Sequence, residues 1–339
     1  MSAALKVLSE GQALSVAETS AAFREIMLGE ASPGQIGAML GLLKLKGETV
    51  DEMVGAVSVL REFALKLTID LSHAIDTCGT GGDGQSLFNV STAAAFVAAC
   101  AGASVAKHGN RSVSSRTGSA DVLEAAGIKI DLAPSAIEHC IQTLQIGFLF
   151  APAHHSATRY AAPVRRELGF RTLFNLIGPL SNPAGVERQV MGVFDRRWQR
   201  PVAETLSRLG SRHVLVVHSE DGLDEISIAA ATSVVELRDG AILEWRLDPR
   251  DFGMALQPLD SLRVESAEAS LRLIEAALAG TPGPAQDILA LNAGAAIHVA
   301  GLAGGIADGV RQAQAILQSG AAFERLRALQ QLTHQLATT

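Results

Sequence analysis

Residues Asp76 to Ala99 read "DTCGTGGDGQSLFNVSTAAAFVAA", four glycines and two aspartates ahead of an alanine-rich run. Gly79-Thr80-Gly81-Gly82-Asp83-Gly84 satisfies G-x-G-x-x-G behind a short apolar segment, the fingerprint of a dinucleotide-binding turn. That turn also needs an Asp or Glu about 20 residues on, to hold ribose hydroxyls. None is present: no acid occurs between Gly84 and Ala120, where 35 acids in 339 residues would place roughly four. The next candidate strand, "ASVAKH", ends instead on Lys107 and His108, with Arg111 and Arg116 following. The glycines therefore point to a phosphate cradle without a nucleoside anchor. Backbone N–H groups converge in such a turn, and the helix that follows adds the positive end of its dipole. Asn89, Ser91 and Thr92 stand where they can cap that helix and also touch a ligand. A second loop, "KHGNRSVSSRTGS" from Lys107 to Ser119, supplies cations, four serines, a threonine and two glycines ahead of another helix start. Either loop alone is an ordinary turn; side by side in an acid-free window they suit a polyphosphate.

These loops need a scaffold. From Ala74 onward short apolar strands alternate with helices ("AID", "STAAAFVAACAG", "ASVAKH", "SADVLEAAG"), a rhythm that predicts a mostly parallel sheet flanked by helices. "QVMGVF" and "HVLVVHS" read as buried strands, and "TSVVELRDGAILEWRL" as a hairpin turning at Asp239-Gly240. The segment "SAEASLRLIEAALAG" and the chain after Gly283 return to helix. Ahead of all this, Ser15/Glu18, Ser32/Gln35 and Thr49/Glu52 each fit the S/T-x-x-E/Q capping box, predicting three helices that end at Gly29, Gly47 and near Leu67. The expected fold is α/β. A small helical domain covers residues 1–70, joined by part of 160–190, and a larger phosphate-binding domain covers 71–339, with a cleft between the lobes.

Composition narrows the function classes. Net charge is −7 and aromatics are 4%, a poor match to a surface that binds nucleic acid. The longest apolar run, Ala93 to Ala106, is too short to span a bilayer, and the N-terminus lacks a signal-peptide core, which predicts a cytoplasmic protein without membrane contact. Cys78, Cys100 and Cys140 form no C-x-x-C pair, so reduced thiols are expected, with Cys100 buried in a helix.

In order and spacing, "DTCGTGGDG", "FNVSTAAAFVAA", "VAKHGNRSVSSRTGSADVLEAAG", "APVRRELGFRTLFNLIGPLSNPAG" and "DGLDEIS" resemble the anthranilate phosphoribosyltransferases of tryptophan biosynthesis over nearly the whole chain. The resemblance implies a homodimer that moves phosphoribose from phosphoribosyl pyrophosphate to the amine of anthranilate with Mg2+ present. Carried over by residue, it puts Gly79, Gly82, Asp83, Asn89, Ser91, Thr92, Lys107, Ser115 and Ser119 around phosphoribosyl pyrophosphate, and Asn110 and Arg165 at anthranilate. His108, Gly109, Arg111, Ser112, Val113 and Ser114 complete the substrate-binding loop. Ser91, Asp224 and Glu225 would hold magnesium, whose preference is for hard oxygen ligands. No protein nucleophile or acid–base residue is implied; Lys107, Asn110 and Arg165 position substrates and offset charge. His108, His154 and His155 are expected to pack and bond to backbone. Leu87 departs from the family's usual serine or threonine, and Ser156 and Thr158 differ beside the anthranilate entrance, which predicts altered affinity with the reaction unchanged. Two alternatives share parts of the pattern: a pyrimidine nucleoside phosphorylase, and a non-catalytic nucleic-acid-binding relative.

Overall fold

The computed structural model describes residues 1–70, 72–112 and 116–337. The chain opens with α1 (Ser2–Ser9), α2 (Val16–Leu28), α3 (Pro33–Lys46) and α4 (Val50–Phe63). All three capping boxes form in both directions, at Ser15/Glu18, Ser32/Gln35 and Thr49/Glu52. Gly29 and Gly47 end α2 and α3 with φ of 76° and 89°, a region that penalises any Cβ. Glu52 does more than its capping role. It is fully buried and also accepts from Leu14 N–H (3.0 Å) and Lys46 Nζ (3.0 Å), so one carboxylate ties the loop before α2 to the end of α3.

The remaining elements follow as β1 (Ala74–Ile75), α5 (Val90–Cys100), β2 (Ser104–Gly109), α6 (Ser119–Ala125), α7 (Pro134–Leu144), β3 (Ile146–Phe150), α8 (Ala151–His154), α9 (Ala162–Leu168), α10 (Leu173–Ile177), β4 (Arg188–Gly192), α11 (Gln199–Arg208), β5 (His213–Ser219), β6 (Thr232–Arg238), β7 (Ala241–Leu247), α12 (Ala267–Leu278), α13 (Pro284–Val299), α14 (Ile306–Ser319) and α15 (Ala321–Leu336). Strands β1, β2 and β3 pair in parallel, as do β4 and β5; β6 and β7 add the antiparallel hairpin, turning at Asp239 (φ 47°) and Gly240 (φ 85°). A single parallel bridge, Asp76 to Gln189, joins the two groups. The strand order is thus 3-2-1-4-5-6-7 across that bridge. It reverses direction between β1 and β4, and ligands of open α/β sheets bind in the crevice at such a switch point, outside the carboxyl ends of the strands.

β5 shows how the sheet is held. Leu215 and Val217 join the core built by α5, α13 and α14, whereas Val214 and Val216 join the core shared with the N-terminal helices. The period-two alternation of a strand therefore gives each layer one face. Val164, Leu173 and Phe174 of α9 and α10 pack into that second core, with the Phe174 ring 5.5 Å from Phe23 of α2. Cys100 differs from expectation: as the last residue of α5 it is half-buried, and Cys140 of α7 is the buried thiol. Among the described residues no helix is long and apolar enough to cross a membrane.

Candidate active site

The loop after β1 lies at the switch point, and close approach of backbones shapes it. Thr80 N–H donates to Gly192 O at the end of β4 (2.9 Å), and a Cβ on Gly79 would come within 3.0 Å of that oxygen. Gly192 is still more constrained, because its Cβ would sit 1.5 Å from Asp224 O. The glycine loop, the end of β4 and the 220–231 loop after β5 therefore stack with no side chain between them. Gly81 and Gly82 turn the chain with φ of 62° and 81°. Asp83 then clamps the loops together: Oδ1 accepts from Gln85 N–H (2.9 Å) and Oδ2 from Asp224 N–H (3.4 Å).

Below the loop sits Asp76, fully buried. Its Oδ1 accepts from Cys78 N–H (3.0 Å) and His108 N–H (3.1 Å), and its Oδ2 from Asn182 Nδ2 (2.8 Å). Burial pushes this carboxyl up to about 6, against the opposing pull of the Lys107 ammonium and these hydrogen bonds. Asp76 and Asn182 do structural work at the join of the two strand groups, and the residue pattern gave no sign of that partnership.

One cavity of about 310 Å³ opens over these loops. Gly79, Gly82, Asp83, Asn89, Ser91, Thr92, Lys107, His108, Gly109, Asn110, Arg111, Ser112, Ser119, Arg165, Asp224 and Glu225 all line it. Val113, Ser114 and Ser115 lie outside the described residues. The linear pattern did not single out Thr80, Phe174, Asn175 or Gly178, which also line the cavity.

Three local expectations need correction. Asn89 precedes α5 but its carboxamide does not cap the helix; it accepts from Ser270 Oγ (2.7 Å) and donates to Thr117 O (3.3 Å). Glu225 takes over the first turn instead, accepting from Ser91 N–H (3.1 Å). The basic surplus of the second loop is mostly spent: Arg111 pairs with Glu124 and Asp121, and Arg116 with Glu265 (2.6 Å). Asp121, the first acid after the acid-free window, also accepts from Ser112 N–H (3.1 Å) and Gly118 N–H (2.8 Å), closing that loop on itself. Lys107 is buried and donates to Thr77 O (3.2 Å) and Thr77 Oγ1 (3.1 Å). His108 differs from its neighbours. His154 Nδ1 donates to Leu65 O (2.7 Å) and His155 bonds backbone at Ser181 and Leu60, but among the described residues both ring nitrogens of buried His108 lack a partner, as does Thr92 Oγ1. Unpartnered buried polar atoms on a cavity wall are atoms that a ligand would satisfy.

Electrostatics sorts the remaining groups. Burial, then the charges of Asp83 and Glu225, hold the Asp224 carboxyl well above its usual range. Glu225 is pushed up to about 7 by burial, with Lys107 and Ser91 opposing. Half-buried, mutually repelling carboxylates with Lys107 nearby form a site whose charge a divalent cation would relieve. Burial holds the Cys78 thiol far above its ordinary value, so it stays protonated and is no nucleophile. Across the cavity, half-buried Arg165 lays its guanidinium over the Phe174 ring, 4.9 Å from the centroid, and has no ion-pair partner among the described residues. Arg171, which the sequence did not single out, donates to Gly82 O and stacks on Phe194 (4.2 Å), linking the segment between α9 and α10 to the glycine loop.

Residues 71–323 match the a/b domain of a glycosyl transferase family, and residues 2–64 match its helical bundle domain. The protein named anthranilate phosphoribosyltransferase from Thioalkalivibrio sulfidiphilus is 53% identical over 333 residues, 98% of each chain. Its namesake from Cellvibrio japonicus is 54% identical over 337 residues, again 98% of each. The crystal structure of the Thermus thermophilus anthranilate phosphoribosyltransferase matches with a TM-score of 0.92 at 42% identity, covering 98% of this chain and 99% of that one. The Saccharomyces cerevisiae enzyme in complex with PRPP and Mg shares the fold, with a TM-score of 0.89 at 23% identity over 99% of both chains. Similarity of this extent removes the nucleoside phosphorylase and nucleic-acid-binding alternatives. With the switch-point cavity, its paired loops and its acidic pair in place, the chain belongs to the anthranilate phosphoribosyltransferase family.

Proposed function

We propose that this chain transfers the phosphoribosyl group of phosphoribosyl pyrophosphate to the amine of anthranilate, giving phosphoribosylanthranilate and pyrophosphate in tryptophan biosynthesis. One observation carries the reading: a single cavity at the switch point is lined at once by both glycine/serine loops, by Asp224 and Glu225, and by Arg165. In this reading the backbone donors of Gly79 to Asp83, together with Asn89, Ser91, Thr92, Lys107 and Ser119, take the phosphates. Arg165 and Asn110 take the anthranilate carboxylate and ring, and His108 fills out that side. Burial keeps the His108 imidazole neutral, so it offers one donor and one acceptor without a charge. Val113, Ser114 and Ser115 belong to the same proposed loop.

Cleavage of the bond between ribose C1 and pyrophosphate builds positive charge on the sugar and negative charge on the leaving group. Fixed donors aimed at the leaving oxygens lower that barrier without a protein nucleophile. The aromatic amine is neutral and weak, so holding it against C1 is the larger contribution of Arg165 and its ring platform. Mg2+ fits the donor set of Asp224, Glu225 and Ser91, and when bound it offsets charge on the pyrophosphate. We further propose that residues 1–70 with part of 160–190 act as one unit against 71–339, and that the protein is a cytoplasmic homodimer. Leu45, 86% exposed on α3, is a side chain that a dimer contact would cover.

The test is loss of anthranilate fluorescence with purified protein. It is expected only when phosphoribosyl pyrophosphate and magnesium are both present. Constant fluorescence with all components and a folded protein would remove the proposal.

A further inference from the structure

At the opposite end of β5 from the active site, three side chains from three elements converge. His213 opens β5, Glu236 lies in β6 and His298 sits in the last turn of α13. Their nearest ligand atoms all lie within 4.8 Å of one another. We propose that His213, Glu236 and His298 form a binding site for a borderline transition-metal dication of the Zn2+ class, separate from the oxygen-rich magnesium site and independent of the function proposed above.

The hydrogen bonds favour this over a casual cluster. His298 Nδ1 lies 3.2 Å from Ala303 O; a carbonyl only accepts, so Nδ1 carries the proton and the neutral ring keeps its Nε2 lone pair. Orientation of a ligating imidazole by a backbone carbonyl is the usual outer support of a metal site. Glu236 is supported in the same way: Trp245 Nε1 donates to Oε2 (2.9 Å), leaving Oε1 to face His213 Nε2 at 2.9 Å. That second contact is the one a metal would replace, with release of the Nε2 proton. The two imidazole centroids are 5.0 Å apart with ring planes at 89°. Two imidazoles bound to one tetrahedral ion at about 2.0–2.1 Å per nitrogen have centroids roughly 5 Å apart, so the rings already stand at the required spacing. His213 and Glu236 side chains keep 10% and 12% of their surface exposed, enough for an ion to enter.

Two nitrogens and one carboxylate oxygen select zinc-like ions over magnesium, which takes oxygen. Arg238 acts unfavourably on His298, and the Glu236 carboxylate acts favourably and more strongly. Another group, Asp76, Cys78 and His108, also gathers metal-binding atoms. It is the weaker candidate, because the Asp76 oxygens already accept three hydrogen bonds and burial keeps the Cys78 thiol protonated.

The test uses the full chain, stripped by chelator and held in excess magnesium so that the oxygen site is occupied. Zinc titration against a chromogenic chelator is expected to give one ion per chain. Trp245 fluorescence should change in step, because its N–H rests on Glu236, and Co2+ should quench it. His213→Ala and His298→Ala should each weaken uptake by at least about 100-fold. His298→Gln serves as the second variant if His298→Ala does not give native circular dichroism. Asp224→Asn with Glu225→Gln, and separately Cys78→Ser, should leave zinc uptake unchanged. No uptake by the parent protein, unchanged uptake in the histidine variants, or loss in either control variant would overturn the proposal.

Discussion

The two walls of the cavity are built by different means. On the glycine-loop side most polar groups already have protein partners: Asp83 holds Gln85 and Asp224, Lys107 holds Thr77, Glu225 holds Ser91, and Asp121 closes the second loop. The facing wall of α9 and α10 is held by apolar packing into the helical core and by the Arg165–Phe174 stack. His108, at the end of β2 where the second loop begins, has no partner for either nitrogen among the described residues. The loop wall is thus largely preorganised by its own hydrogen bonds, His108 apart, whereas the facing wall presents the Arg165 cation, which has no ion-pair partner among the described residues. Preorganised donors act without reorganisation at the moment of reaction, and unpartnered groups give recognition.

The comparison breaks most completely at the acidic pair. Asp224→Asn with Glu225→Gln is expected to lower kcat/KM by about 10²–10³-fold and raise the magnesium requirement while the fold is retained. An unchanged magnesium titration would reduce both residues to half-buried loop acids. Gly192→Ala tests the stacking of backbones itself. Its Cβ would meet Asp224 O at 1.5 Å, so the acidic loop must move, and a shift of that size is expected to cost about 100-fold in rate and to lower Tm. Parent-like activity with an unshifted loop in the variant's crystal structure would show that the stack is not required.

Arg165→Lys sharpens the division between the walls. Lysine keeps the charge but loses the planar fork and the stack on Phe174, so KM for anthranilate should rise by roughly 10- to 100-fold, about 1.5–3 kcal/mol, with little change for phosphoribosyl pyrophosphate. Lys107→Ala should do the reverse. Equal shifts of both constants in both variants would end the two-wall description.

The smallest effect concerns acid. Burial first, then neighbouring His154, depresses His155 from 6.5 to about 4, and burial lowers His108 in the same direction. A histidine depressed in the fold contributes stability that is fully present above pH 6.5 and is lost as pH falls towards 4. Urea unfolding between pH 7.5 and 4 should show that loss, and His155→Gln should flatten its slope by up to about 1.4 kcal/mol per pH unit. Parallel slopes for parent and variant would take His155 out of the acid response.

Much of this was legible before folding. Capping boxes are local, so Ser15, Ser32 and Thr49 declared their helices, and the Asp239-Gly240 turn declared its hairpin. The glycine loop announced its tight turn because φ above zero and absent side chains are properties of the residues themselves. What misled were residues whose partners lie far off in the chain, or which have none among the described residues. Asn89 looked like a helix cap, but Ser270, 181 residues away, claims its oxygen. Arg111 and Arg116 looked like free cations, but Glu124 and Glu265 neutralise them. His108 looked like loop packing and instead stands unpartnered on the cavity wall.

By itself, the sequence determined the helical start, the alternation of strands and helices, the glycine- and serine-rich make-up of both loops and the acid-free window between Gly84 and Ala120. Each of these depends on contacts within a few residues, where side-chain type and backbone freedom decide the outcome. Only the tertiary structure decided that β1 and β4 meet at a reversal of strand order, that Gly192 lets Asp224 press against the glycine loop, and that Asp76 and Asn182 hold the join. It alone also brought His213, Glu236 and His298 together from three separate elements. Those contacts join residues from about 23 to over 110 positions apart. A one-dimensional pattern carries no record of which distant side chain claims a given hydrogen bond, so partnership at that range is settled only when the layers pack.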